Sequence, residues 1–107
     1  MSVTSSASRD GRELFIKVKG RFDFSIHQLF REAYNKVDVR NSSYQIDLSE
    51  TEYLDSAALG MLLLLRERAG GDNAKIRIAG CSEDVQRILE VSNFHQMFEI
   101  EGDGSNP

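Results

Sequence analysis

The residue best placed for chemistry in this chain is Ser56. It follows Asp55 where an alternating stretch gives way to a Leu-rich one, and Ala57, Ala58 and Gly60 leave little side-chain bulk around it. A serine at a helix start sits among backbone N–H groups that lack intrahelical partners, so an anion can be received there. Small neighbours let a protein surface come close. Two roles fit this setting: an N-cap, worth about 1 kcal/mol to the helix, or the acceptor of a reversible phosphate. A hydrolase nucleophile fits poorly. The GxSxG elbow is absent, and the two histidines, His27 and His95, fall on another helix and near the last strand, so no base is at hand.

Asp23, Asp47 and Asp55 each fall at or just beyond the C-terminal end of an expected strand, where parallel sheets collect ligands. They read as separate solvated carboxylates, because no histidine or second run of ligands accompanies them. No metal, no cofactor and no convergent set of acid, base and nucleophile is expected, hence no enzyme. Cys81 is the one cysteine and has neither a CxxC partner nor a nearby His. It reads as a small core group in a reducing compartment.

The elements that must position these residues follow from periodicity. Leu14, Ile16 and Val18 alternate with polar residues over Glu13 to Lys19, the pattern of a strand, and Asp10-Gly11 is a hairpin turn pairing it with an edge strand from Val3 to Ser8. Ser25 with Gln28 has capping-box spacing, and Phe24 with Leu29 completes a hydrophobic staple. The helix so opened carries Ile26, Leu29, Phe30, Ala33 and Val37 on one apolar face. Tyr44 to Ser49 alternates again and leads through a polar bend to Asp55-Ser56. The second helix runs from there to about Ala69, where Gly70-Gly71 stops it. Lys75 to Ala79 is a strand, and Ser82 caps a third helix with Val85, Ile88 and Leu89 facing inward. Asn93 ends that helix, and Met97 to Ile100 is a last short strand. Strands alternating with three helices define an α/β fold with a mixed, mostly parallel sheet and one antiparallel edge hairpin.

Met61-Leu62-Leu63-Leu64-Leu65 is too apolar for a single buried stripe. At 100° per residue such a run exceeds the arc facing the core, so one or two of these side chains must turn outward. If neighbouring elements leave them uncovered, Met61 with Leu64 or Leu65 forms a partner-binding patch beside Ser56.

Asp55-Ser56-Ala57-Ala58-Leu59-Gly60, preceded by Ile46-Asp47-Leu48-Ser49 and followed by the Leu-rich helix, resembles the signature of the STAS domain of bacterial anti-sigma factor antagonists. Gly20-Arg21-Phe22-Asp23 matches that family's first loop, and the resemblance covers roughly residues 10 to 101. It implies a STAS-type mixed sheet and a switch protein that is not an enzyme. By the same resemblance Ser56 is the phosphoacceptor of a partner serine kinase, and a phosphatase reverses the modification. Asp23 lies near Ser56 on the partner surface, Asp55 positions Ser56, and Ala57, Ala58, Gly60 and Met61 belong to the contact. The partner, an anti-sigma factor or another regulator, binds the unmodified form. This chain departs from the family's commonest Asp-Ser-Ser/Thr-Gly-Leu-Gly at Ala57, which removes a second hydroxyl, and at Ala58, which adds a methyl where glycine is usual. The rival within the resemblance is a STAS accessory subunit of a lipid or anion transporter, not controlled by phosphoserine.

Composition bounds these readings. The chain has 107 residues, 40% of them apolar, enough for one modest core. One domain is expected over residues 1–101, with a disordered tail over 102–107. A net charge of -4 with scattered Lys and Arg disfavours a nucleic-acid surface. No apolar run approaches the ~18 residues of a membrane span, and the polar N-terminus lacks the pattern of a signal peptide. A cytoplasmic protein without membrane contact, monomeric when alone, is the expectation.

Overall fold

The computed structural model describes residues 2–35, 37 and 42–102. Strands β1 (Ser2–Ala7), β2 (Glu13–Phe22), β3 (Ser43–Asp47), β4 (Thr51–Leu54), β5 (Lys75–Cys81) and β6 (Glu99–Gly102) alternate with helices α1 (His27–Tyr34), α2 (Ser56–Arg68) and α3 (Glu83–Val91). The sheet order is β1-β2-β3-β5-β6, and β4 pairs with β2 off that path. Among the described residues only β1 and β2 are antiparallel; the other ladders are parallel. The mixed sheet with an antiparallel edge hairpin and three helices is the architecture expected from the sequence.

Alternation explains which face of the sheet is covered. Leu14, Ile16 and Val18 of β2, Tyr44 and Ile46 of β3, and Ile76 and Ile78 of β5 are all buried. They form one cluster with Phe30, Ala33 and Tyr34 of α1, Ala58, Leu62 and Leu65 of α2, and Val85 and Leu89 of α3. A fully buried Leu, Ile or Phe side chain contributes about 1.5–3 kcal/mol, so this face holds most of the fold's stabilisation.

Strand β4 is the element that periodicity missed. Four residues, Thr51–Leu54, pair in parallel with the end of β2, Gly20 opposite Thr51 and Phe22 opposite Leu54. Its pattern, buried only at Thr51 and Leu54, has no period of two. What holds it is tertiary: the buried Thr51 hydroxyl donates to the Val18 carbonyl at 2.8 Å.

Helix α1 also differs in detail. Ser25 is not its cap. Asp23 caps a short 3-10 turn, Phe24–Ile26, and the α-helix starts at His27. Gln28 turns forward to Glu32 at 3.4 Å rather than back toward Ser25. Leu29 is left 51% exposed and Phe24 66% exposed, stacked on His27, so neither serves the core as expected. Ile88 of α3 is likewise partly exposed rather than inward-facing.

The ends of the other elements are set as expected. Ser82 accepts from the Val85 N–H, Gly70 adopts φ 119 after α2, and Asn93 adopts φ 63 after α3. The last strand begins at Glu99 and runs through Gly102, so it includes a residue assigned to the tail; residues 103–107 lie outside those described.

Gly80 allows β5 to lie beneath the turn that feeds β4. Its φ is +74, and a methyl there would come 2.9 Å from the Ser49 Cβ and 3.1 Å from an Asp47 carboxylate oxygen. That oxygen accepts the Ser49 N–H at 2.8 Å and cannot retreat without opening the turn. Gly80→Ala is therefore expected to lower unfolding free energy by about 2–4 kcal/mol, read from the midpoint of a urea transition.

Candidate functional site

The start of α2 is built by Asp55. Its backbone is extended, at φ -120 and ψ -173, and its carboxylate accepts the Ala58 N–H at 3.1 Å. Asp55 is thus the N-cap, and the alternative that Ser56 serves as cap is excluded. Ser56 becomes the first helical residue, exposed, and its hydroxyl makes no hydrogen bond among the described residues. Capping by the preceding carboxylate leaves the serine oxygen accessible for modification.

The inward arc of α2 is Ala58, Leu62, Leu65 and Ala69. Ser56, Gly60, Leu63 and Glu67, spaced by three or four residues, lie outward, with Leu64 beside them. Two sequence assignments change as a result. Ala58 is fully buried, so its methyl packs in the core and it offers the site only the N–H held by Asp55. Leu65 is also fully buried; Leu64, 49% exposed, takes the outward position, joined by Leu63 at 39%. Met61 and Ala57 are half-buried on the flank. Leu63 was not singled out from the run, although it falls seven residues after Ser56 on the same face.

Asp23 reaches the same end of the molecule through the β2–β4 ladder. Phe22 lies opposite Leu54, so Asp23 and Asp55 are the next residues as the two strands exit side by side. One Asp23 oxygen accepts the Ser25 N–H at 3.0 Å and the Ser25 hydroxyl at 2.5 Å, while the other accepts Arg21 Nε at 3.2 Å. The Ser25 hydroxyl, then its backbone N–H, and then Arg21 hold the Asp23 carboxyl below its ordinary pKa of 3.8. Arg21 in turn lies over the Tyr53 ring, Cζ 4.3 Å from its centroid. Neither Arg21 nor Tyr53 stood out in the sequence as a site residue. The pairing that joins them depends on β4, which has no periodic signature.

Asp47 is not part of this group. It accepts the Ser49 N–H in the turn before β4, near the Lys17–Glu50 ion pair. Among the described residues no three His, Cys, Asp or Glu side chains gather as a metal site would require. Two shallow grooves, of about 440 and 360 Å³, share Phe15 and Gln45 on the outward side of the sheet, away from Ser56. Ser56 is presented on an exposed helix end, a form suited to contact with another protein.

The family model described as "Mlab, STAS domain" matches residues 5–100, and the chain belongs to the STAS domain family. A STAS-domain containing protein of Pseudomonas aeruginosa strain UCBPP-PA14 is 54% identical over 100 residues, covering 94% of this chain and 99% of the relative. Among solved structures, an anti-sigma-factor antagonist (STAS) domain protein from Planctomyces limnophilus superposes with a TM-score of 0.75 at 14% identity, over 94% of this chain and 89% of that one. The unphosphorylated form of the anti-sigma factor antagonist SpoIIAA gives 0.69 at 11% identity, over 97% and 90%. A sulfate transporter family protein from Wolinella succinogenes gives 0.73 at 12% identity, over 94% and 83%. These likenesses show that the chain shares the fold of anti-sigma factor antagonists and of the transporter family protein, within a family that is not enzymatic.

Two outcomes are expected from this geometry. Asp55→Ala is expected to destabilise the protein by about 1 kcal/mol, with Asp55→Asn retaining most of the cap, as read from thermal unfolding. Asp23 stabilises the fold in its ionised form; that contribution is complete above pH 3.8 and is lost as pH falls through its lower folded value. Ser25→Ala is expected to raise the Asp23 pKa, moving that acid limb to higher pH, as followed by carboxyl-carbon NMR.

Proposed function

We propose that this protein is a phosphorylation-controlled binding switch of the anti-sigma factor antagonist type. Unmodified, it sequesters an anti-sigma factor or related regulator against the outward face of α2; phosphorylation of Ser56 releases that partner. The observation that carries the reading is the exposed Ser56 hydroxyl on the first residue of α2, with capping already supplied by Asp55. Ala57 and Gly60 keep the approach low, and Met61, Leu63 and Leu64 supply apolar contact. Asp23 stands at the edge of the same surface, and Ala58 acts only from beneath it. A serine kinase and a phosphatase act on Ser56, and the protein works as a monomer in the cytoplasm.

The resemblance supplies the direction of the switch, and charge gives it a physical basis. A phosphate adds about -1.5 to -2 charges beside Asp55, which an exposed helix end tolerates. A partner packed over it must bury that charge without its water, at a cost of several kcal/mol, enough to lower affinity about a thousandfold. The transporter-subunit reading draws support from the fold shared with the Wolinella protein. Copurification with a transporter ATPase, with affinity independent of Ser56 modification, would establish it instead.

Calorimetry against the copurifying partner tests the switch. Ser56→Ala is expected to bind constitutively and Ser56→Asp about tenfold to a hundredfold more weakly, since one carboxylate carries less charge than phosphate. Mass spectrometry of protein from its own cells is expected to place phosphate on Ser56. Loss of binding in Ser56→Ala, with gain on phosphorylation, would reverse the mechanism. Gly60→Ala serves as a separate probe of the surface. A methyl there meets nothing within 4 Å, so the helix is expected to gain up to about 1 kcal/mol while partner affinity falls.

A further inference from the structure

We propose that Arg21 is the internal receptor for a phosphate carried by Ser56, engaging it through the terminal amino groups of its guanidinium. This rests on the reading of Ser56 as a phosphoacceptor and adds a residue that governs the modified state. Arg21 is held on two sides. Its Nε donates to Asp23 at 3.2 Å, and its guanidinium lies over the Tyr53 ring at 4.3 Å. The first contact uses the Nε donor and the second uses none, so the terminal amino groups are left over. Among the described residues the terminal amino groups make no hydrogen bond, and the side chain is 57% exposed.

The strand register and the bond to Asp23 give this cation its direction, toward the strand end that leads to Ser56. Arg21 and Tyr53 are partners in the β2–β4 ladder, and neighbouring strands lie about 4.8 Å apart. The bond to Asp23 shows that the Arg21 side chain runs forward, toward the strand end where Asp23 and Asp55 emerge together. Ser56 is the next residue. A phosphate on its oxygen extends outward from the helix, and a guanidinium fork already restrained by stacking needs little further ordering to meet it. The other charged or titratable groups on the elements around this site include Asp23, Glu52, Asp55 and His27 at the element ends, Arg31 and Glu32 on α1, which packs against α2, and Glu83, Asp84 and Arg87 on α3, which packs against β4. Their carboxylates oppose a dianion there. Lys19 is engaged with Glu50 at 4.0 Å, and Arg68 lies at the far end of α2. Arg21 is the cation whose contacts aim it along the strand end that leads to Ser56, and its Nε can keep its bond to Asp23 while the terminal amino groups meet the phosphate.

Phosphorus NMR of protein made with phosphoserine incorporated directly at position 56 tests this without any kinase. The second phosphate pKa is expected to lie about half a pH unit lower in the parent than in Arg21→Gln, with Arg21→Lys between them. Arg87→Gln, an exposed change on α3, is expected to match the parent and controls for net charge. Equal pKa values in the parent and Arg21→Gln overturn the proposal. Failure of the switch reading looks different: the Arg21-dependent shift persists in the synthetic phosphoprotein, but protein from its own cells carries no phosphate on Ser56.

Discussion

Strand β2 is the constraint on which the rest of the molecule depends, because its ten residues are shared among three neighbours. Its first half is enclosed between β1 and β3, and its last residues pair with β4. A parallel pair of strands must be joined by a crossover, so α1 and the turn after β3 take their paths from this division. The buried hydrogen bond from Thr51 to Val18 ties β4 to β2 next to the register change at Gly20 and Arg21. Without that tie, Asp23 and Asp55 would have no reason to emerge side by side, and the surface around Ser56 would not exist as a unit.

At both exits a carboxylate takes the capping role from a nearby serine. Asp23 holds the N–H and hydroxyl of Ser25, and Asp55 holds the Ala58 N–H above Ser56. An ionised acceptor makes a stronger bond to an amide than a hydroxyl does, and negative charge is favoured at a helix start. The consequences differ at the two places. Ser25 remains bound to the carboxylate that displaced it. Ser56 makes no such bond among the described residues, so covalent modification there breaks no side-chain hydrogen bond of the fold. A regulated residue benefits from this separation, because stability and charge state can then vary independently.

Helix α2 divides its apolar residues between two purposes. Leu62 and Leu65 are fully buried and pack the core, while Leu63 and Leu64 remain partly exposed behind Ser56 and Gly60. The exposed part of that apolar area contributes nothing to the isolated fold, and its burial becomes favourable when a second surface covers it. Under the switch proposed above, such a patch beside Ser56 makes affinity sensitive to a single charge, since a phosphate there would lie inside the area that must be desolvated.

Much of this was legible in the residues themselves. The alternations of β2, β3 and β5, the Gly70 and Asn93 helix ends, the Ser82 cap and the placing of Ser56 at a strand-to-helix step are local, so neighbouring residues determine them. Four features needed the tertiary structure. Strand β4 has no period of two and exists because β2 offers it a ladder. Asp23, two residues before Ser25, caps the 3-10 turn that precedes α1, and Leu29 lies outward rather than in a staple with Phe24. The division of Leu63, Leu64 and Leu65 between surface and core depends on helix rotation against the sheet, which a continuous apolar run leaves undetermined. The Arg21–Tyr53 contact joins residues from two strands that meet only across the ladder, so short-range pattern carries no trace of it.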